Sequence, residues 1–373
     1  MKRQLITHSR QDCFKSCRRK HLYRYELGLR RIDDSRALRM GKAFHDGIAA
    51  LGRGESTDHA CHEAGKYYEA MPDAFDAYEW AIERETVLRL VCAYEWRWSS
   101  QPLEYLAVER GFQLPLLNPA TGRPTPAFDL AGKIDAIVRL PDGRLAVKES
   151  KCLGDDISPD SPLWRRMRMD SQISLYIHAA RRLGFQCDTV LYDVARKPTI
   201  KPEQIPIFDS NGLKIVLDAN GNRVMTKQGK PRQTSSIEEG FYLQTRPMTP
   251  EEWGEKLTAD ICERPAFYFA RVEVPRLDAD VDEYQSEIWD IQRDISDAQK
   301  YEKHYRTVNR NTCGFCEYFE VCSGATSIES GPPVGFEFVT NLHPELETVN
   351  HDCRATTCRA VSTAAATAEF AAV

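Results

Sequence analysis

Residues 129–151 read DLAGKIDAIVRLPDGRLAVKESK. Two runs of alternating apolar residues, Leu130–Leu140 and Leu145–Lys151, flank Pro141-Asp142-Gly143-Arg144. Proline presets a turn and glycine accepts positive φ, so the pattern predicts a β-hairpin. Side chains alternate across a strand, which puts Glu149 and Lys151 on one face, and the turn returns Asp135 to the neighbouring strand. Two carboxylates and an ammonium converging there can hold a divalent cation with a charge stabiliser beside it. Taken alone, the same charges also fit a surface salt bridge on an edge hairpin. The surrounding chain has to decide between the two.

A chain of 373 residues can bury a large core, as one large or two ordinary domains. Its 28% charged and 42% hydrophobic residues suit a soluble globular protein. No apolar run of about 18 residues and no signal-peptide pattern occurs, so a cytoplasmic location without a membrane partner is expected. A net charge of −5 argues against nonspecific coating of nucleic acid but leaves room for a local basic groove. Twelve cysteines in a reducing compartment are not expected to form a disulfide framework. Cys313, Cys316 and Cys322, spaced C-x2-C-x5-C, stand apart from the rest. That spacing brings three thiolates to one metal centre and leaves a fourth ligand to be supplied.

Upstream of the hairpin, residues 6–31 (ITHSRQDCFKSCRRKHLYRYELGLRR) are the most basic segment. Eight Lys or Arg stand against two acids between Arg10 and Arg31, with Tyr23 and Tyr25 interleaved. A helix capped by Ser9 is expected there. Arg18, Arg19 and Lys20 are candidate phosphate contacts and the tyrosines candidate base-stacking groups, although a solvated helix face with core tyrosines has the same composition. An amphipathic helix is predicted from about Ala37 to Leu51, carrying His45. Residues 58–100 have a helical pattern, and Tyr105–Leu117 alternates as a strand that includes Glu109.

Downstream, a helix is predicted from about Asp170 to Leu183, with Gln172 and Tyr176 on one face, then a strand over 187–198. Strand, strand, strand, helix, strand is an α/β core. From Pro202 to Tyr242 the sequence turns polar and turn-rich, with a second hairpin around Asp218-Ala-Asn-Gly-Asn222. Lys214, Arg223, Lys227, Lys230 and Arg232 make it a basic arm. Residues 249–303 have a helical pattern, and the Ala/Thr-rich end has no periodic core face.

With these pieces in order, the chain resembles the RecB-like branch of the PD-(D/E)xK nucleases, near the CRISPR-associated RecB-type exonucleases and the AddB nuclease domain. The resemblance covers about residues 5–325 and rests on CRRKHLYRYELGL, GKAFH, GKIDAI followed by VKESK, QISLY, and CGFCEYFEVC. It implies a restriction-endonuclease-like α/β core with a mixed central sheet, a helical N-terminal part and a C-terminal cysteine segment. It implies Asp135 and Glu149 as metal-binding carboxylates, His45 as a further ligand of Mg2+ or Mn2+, and Lys151 as the catalytic lysine. Gln172 and Tyr176 would line the DNA path, and Cys17 would join Cys313, Cys316 and Cys322 on a [4Fe–4S] cluster. Relatives often carry Pro where this chain has Arg18 and Thr where it has Cys152.

The expected organisation is a nuclease domain over 1–325, with a helical insertion at 58–100 and a basic hairpin insertion at 202–242, then a mobile tail over 326–373. The expected activity is a metal-dependent exonuclease on single-stranded DNA or DNA ends, in recombination, repair or phage DNA processing, with other recombination or phage replication proteins as partners. A non-catalytic iron–sulfur DNA-binding subunit, a restriction-type endonuclease and a zinc-stapled regulatory protein are the alternatives.

Overall fold

The computed structural model describes residues 3–346. In chain order, β1 (Gln4–Ile6) leads into α1 (His8–Ser16), and α2 (Arg18–His21) follows the extended residue Cys17. A π-helical turn over Leu22–Glu26 then reaches β2 (Leu29–Arg31). Helices α3 (Arg36–Gly52), α4 (Thr57–Gly65) and α5 (Ala77–Trp98) pack together. The core continues with β3 (Glu104–Leu117), β4 (Pro124–Arg139), β5 (Leu145–Leu153), α6 (Pro162–Arg168), α7 (Ser171–Arg182) and β6 (Cys187–Arg196). Short strands β7 (Gln204–Pro206), β8 (Val216–Leu217), β9 (Tyr242–Leu243) and β10 (Thr245–Pro247) form the arm. Then come α8 (Pro250–Glu263), α9 (Pro265–Tyr268), β11 (Phe269–Pro275) and α10 (Asp278–Lys300). Helical turns α11 (Arg310–Cys313) and α12 (Phe319–Ser323) carry Cys313 and Cys322, with Cys316 between them, and β12 (Phe336–Phe338) ends the described strands.

The expected hairpin forms as β4 and β5, with Gly143 at φ 90° and Leu140 and Arg144 hydrogen-bonded across the turn at 2.9 Å. It sits inside a six-stranded mixed sheet. One edge of β4 pairs antiparallel with β3 along its length. Its other edge is shared: β1 pairs parallel with Phe128–Leu130, and β5 pairs antiparallel only with Ala136–Arg139. β5 then runs parallel to β6, and β11 closes the sheet antiparallel to β6. Strands β4 and β5 therefore separate just beyond the Ala136–Lys148 pair, where Asp135 and Glu149 stand. Helices α1, α6, α7 and α10 bury apolar residues against one face of the sheet, and α3, α4, α5 and α8 pack on the other side. Ser35 caps α3 and Asp170 caps α7, each accepting a backbone N–H; such caps contribute about 1 kcal/mol.

Several expectations are corrected. The N-terminal helix is capped by Thr7, not Ser9, and stops at Cys17, whose φ of −163° is extended. Tyr23 and Tyr25 are 6% and 3% exposed, so they are core residues and not a stacking surface. Residues 58–100 are helical as expected, but as α4, a 3₁₀ turn over Lys66–Tyr68 and, after a turn that includes Pro72, α5. The stretch 249–303 is not all helix: Phe269–Pro275 alternates over too few residues to break an otherwise helical pattern, yet β6 recruits it as β11. The fold also runs past 325. Phe336–Phe338 pairs with Leu29–Arg31, and His343 lies against Tyr25 with ring centroids 5.5 Å apart. The remainder of the expected tail, with Cys353 and Cys358, lies outside the described residues.

Candidate active site

The separation of β4 and β5 leaves backbone donors and carboxylates without ladder partners. The Ser150 N–H turns to Asp135 and donates to its Oδ2 at 2.8 Å. Glu149 is 2% exposed and its Oε1 lies 2.6 Å from Lys151 Nζ. Its Oε2 is buried without a hydrogen-bond partner. Lys151 also donates to Gln172 Oε1 at 2.7 Å, and Gln172 Nε2 donates to the Tyr176 hydroxyl at 3.0 Å. The helical spacing of Gln172 and Tyr176 on α7 thus continues a hydrogen-bonded chain begun on β5. Phe112 meets the Tyr176 ring edge-on at 6.2 Å, and a Cβ on Gly132 would lie 2.7 Å from the Phe112 ring. The glycine of GKIDAI is required by this close approach.

From the other side, α3 brings His45 Nδ1 to 3.6 Å from Asp135 Oδ2. Glu109 was legible only as a strand residue, yet it belongs to the same small cavity as His45 and Asp135. The β3–β4 register puts it opposite Asp135, and its φ of 53° is left-handed in the middle of a strand. Such a conformation costs about 1–3 kcal/mol and concentrates at functional sites. Glu109 is ion-paired with Lys133. The signal that could have found it was its distance of 26 positions before Asp135, which antiparallel pairing folds back onto one level. The other lysine of VKESK, Lys148, points away from Lys151: it is 2% exposed, lies 3.4 Å from Asp193 and donates to Ser150 Oγ at 2.7 Å. It braces the strand from beneath.

Burial, with Asp135 next, pushes Glu149 up to about 8. Burial raises Glu109 to about 7 against the opposing pull of Lys133. Burial works against the Lys151 charge, but Glu149 and Asp135 more than offset it and its pKa is raised. His45 is lowered by burial despite Asp135, which favours the neutral imidazole that can donate a lone pair. Among the described residues, no group of three His, Cys, Asp or Glu side chains is gathered tightly enough to hold a metal ion as it stands. The donors nevertheless fit a hard divalent cation. Glu149 offers a buried, unsatisfied oxygen, Asp135 stands at the corresponding register position on β4, and its charge helps raise Glu149, which a cation would relieve.

The cysteine segment meets the N-terminal helices. Cys17 Sγ accepts the Thr307 N–H at 3.5 Å, and Cys313 Sγ lies 3.8 Å from the Thr307 carbonyl oxygen. Cys316 and Cys322 border the small core made by Tyr23, Leu29 and Tyr318. Residues on both sides of Thr307 are thus brought to one end of the fold. Cys13 does not share a helix with Cys17, and burial pushes its thiol up to about 11.

An open groove of about 1650 Å³ joins this end to the candidate active site, lined by Lys20, Lys42, His45, Asp135, Lys151 and Phe315 among others. From the basic segment Lys20, Arg24, Arg30 and Arg31 line it, whereas Arg18 and Arg19 do not. Arg18 pairs with Asp294 at 2.7 Å and stacks over Phe14 and Tyr305, and Arg19 donates to the His304 carbonyl at 2.8 Å. Both tie the chain ends together instead of facing the groove, and of the three candidates only Lys20 lines it. In the arm, Arg223 pairs with Asp209 and Arg232 with Glu239.

The protein is a mixed α/β fold, with Asp135, Glu149 and Lys151 standing where two strands of its central mixed sheet separate. The family model of the PD-(D/E)XK nuclease superfamily matches residues 5–323, and the chain belongs to that superfamily. Membership points to nuclease activity on a nucleic-acid substrate, and such nucleases typically use a divalent metal. A search of curated proteins finds no match. Among the described residues, no helix is long and apolar enough to cross a membrane.

Proposed function

We propose that the chain is a Mg2+- or Mn2+-dependent exodeoxyribonuclease of the RecB-like branch, cytoplasmic, acting on single-stranded DNA or DNA ends. The observation that carries this reading is the buried, unpartnered Oε2 of Glu149, one residue beyond the end of the β4–β5 pairing as Asp135 is on β4, with Lys151 in contact with the other oxygen. Asp135, Glu149 and His45 would hold the cation, and Glu109 is placed to assist from the opposite strand. A cation bound there supplies Lewis-acid chemistry, offsetting phosphoryl charge and acidifying water. Lys151 then orients the attacking water or donates to the phosphoryl oxygen as charge builds on it. Gln172 fixes the lysine head, and Tyr176 fixes Gln172, so both hold geometry at the substrate and not at the cation.

The preference for ends and for DNA rests on the resemblance to RecB-type exonucleases. The same resemblance supports Cys17, Cys313, Cys316 and Cys322 as holders of a [4Fe–4S] cluster that staples the N-terminal helices to the C-terminal segment. Digestion of end-labelled single-stranded, duplex and circular DNA with Mg2+, Mn2+ or EDTA tests the reading. Release of label from linear substrate only, and only with metal, supports it. Cleavage of covalently closed circles makes the enzyme an endonuclease, and no cleavage with either metal removes the catalytic reading.

A further inference from the structure

Outside the site, two thiols are in contact across a helix junction. Cys61 on α4 and Cys92 on α5 have their Sγ atoms 3.4 Å apart. Cys61 is half-buried and reachable from solvent, whereas Cys92 is 7% exposed. Both are free thiols here. A disulfide requires sulfurs about 2.05 Å apart, and a side-chain rotation of little more than one ångström closes the gap. We propose that Cys61 and Cys92 are a redox modification site, a dithiol that a hydroperoxide converts to a disulfide.

The chemistry balances in two steps. One thiolate attacks a peroxide oxygen, giving a sulfenic acid and releasing water or an alcohol. The second thiol attacks that sulfur, forming the S–S bond and expelling the sulfenic oxygen as water with the thiol proton. Two electrons pass from the sulfurs to the peroxide. The junction gives the bond a structural consequence. A Cβ on Gly47 of α3 would lie 2.8 Å from the Val91 side chain and 3.2 Å from the Ala60 carbonyl oxygen. Ala60 and Val91 immediately precede the two cysteines, and Gly47 is two residues from His45. Tyr67, just after α4, donates to Asp46 on α3 at 2.6 Å. The disulfide therefore fixes the seat on which α3 carries His45.

The full chain, reduced, desalted and treated with hydrogen peroxide, is alkylated and digested for mass spectrometry. The expected product is one cross-linked peptide pair joining residues 61 and 92, split by dithiothreitol and absent from Cys61→Ser. The oxidised chain should melt about 5–10 °C higher than the reduced one. Recovery of Cys61 and Cys92 as separate alkylated thiols, as separate sulfonic acids, or linked to other cysteines overturns the proposal.

Discussion

Lys151 Nζ lies 2.6 Å from Glu149 Oε1 and 2.7 Å from Gln172 Oε1, so one ammonium joins strand β5 to helix α7 at the candidate site. This lysine engages the Glu149 side chain in the metal-free protein. Gln172 is hydrogen-bonded to this proposed catalytic lysine, and Tyr176 to Gln172.

Gln172→Ala and Tyr176→Ala should each lower the cleavage rate by roughly 10–100-fold while metal affinity stays within a few-fold of wild type. Gly132→Ala should do the same indirectly, because its new methyl displaces Phe112 from Tyr176. Calorimetric titration with Mn2+ alongside single-turnover cleavage checks this. Loss of metal binding in Tyr176→Ala would contradict the role assigned to the chain of hydrogen bonds.

The arrangement around the proposed site was legible where local pattern carries it. The alternation around Pro141-Asp142-Gly143-Arg144 gave the hairpin, and the helical spacing of Gln172 and Tyr176 gave their common face. Glu109 was not legible, because its place opposite Asp135 depends on the β3–β4 register and on a left-handed backbone that no local pattern announces. For Arg18 and Arg19 composition reports charge, but not that Asp294 and the His304 carbonyl engage it. β11 was hidden because seven residues between two helices have too little length for their own period to stand out.

Glu109→Gln should reduce cleavage by about 10-fold or more without unfolding the chain, since the amide keeps the shape but removes a carboxylate facing Asp135. Glu109→Gly separates conformation from chemistry, because glycine accepts the left-handed φ. Stability at or above wild type with lowered activity is expected for Glu109→Gly. Undiminished cleavage in both variants would exclude Glu109 from the site.

The metal-free protein should lose stability as pH rises from about 4.5 toward 8. Over that window folded Glu149, raised to about 8 from 4.5, keeps a proton that the unfolded chain has released. The folded state then binds more protons than the unfolded state, so the unfolding free energy falls with increasing pH. Thermal melts in EDTA should show this decline in wild type, and Glu149→Gln should flatten it. An equal slope in both proteins would contradict the assignment.

Cys17→Ala should lose iron and brown colour, whereas Cys13→Ala should keep both. Cys17 sits at the extended break between α1 and α2 and shares Thr307 with Cys313, while Cys13 lies within α1. Iron content and absorbance near about 400 nm after anaerobic purification decide it. A colourless Cys13→Ala beside a brown Cys17→Ala would exchange the two assignments.

The most direct measurement is single-turnover cleavage of an end-labelled single-stranded oligonucleotide with saturating Mn2+, comparing wild type with Asp135→Asn, Glu149→Gln and Lys151→Met. The account predicts metal-dependent cleavage by wild type, a loss of about 10³-fold or more in each variant, and near-native melting temperatures throughout. Cleavage by folded Glu149→Gln and Lys151→Met at the wild-type rate would put the active site elsewhere in the chain.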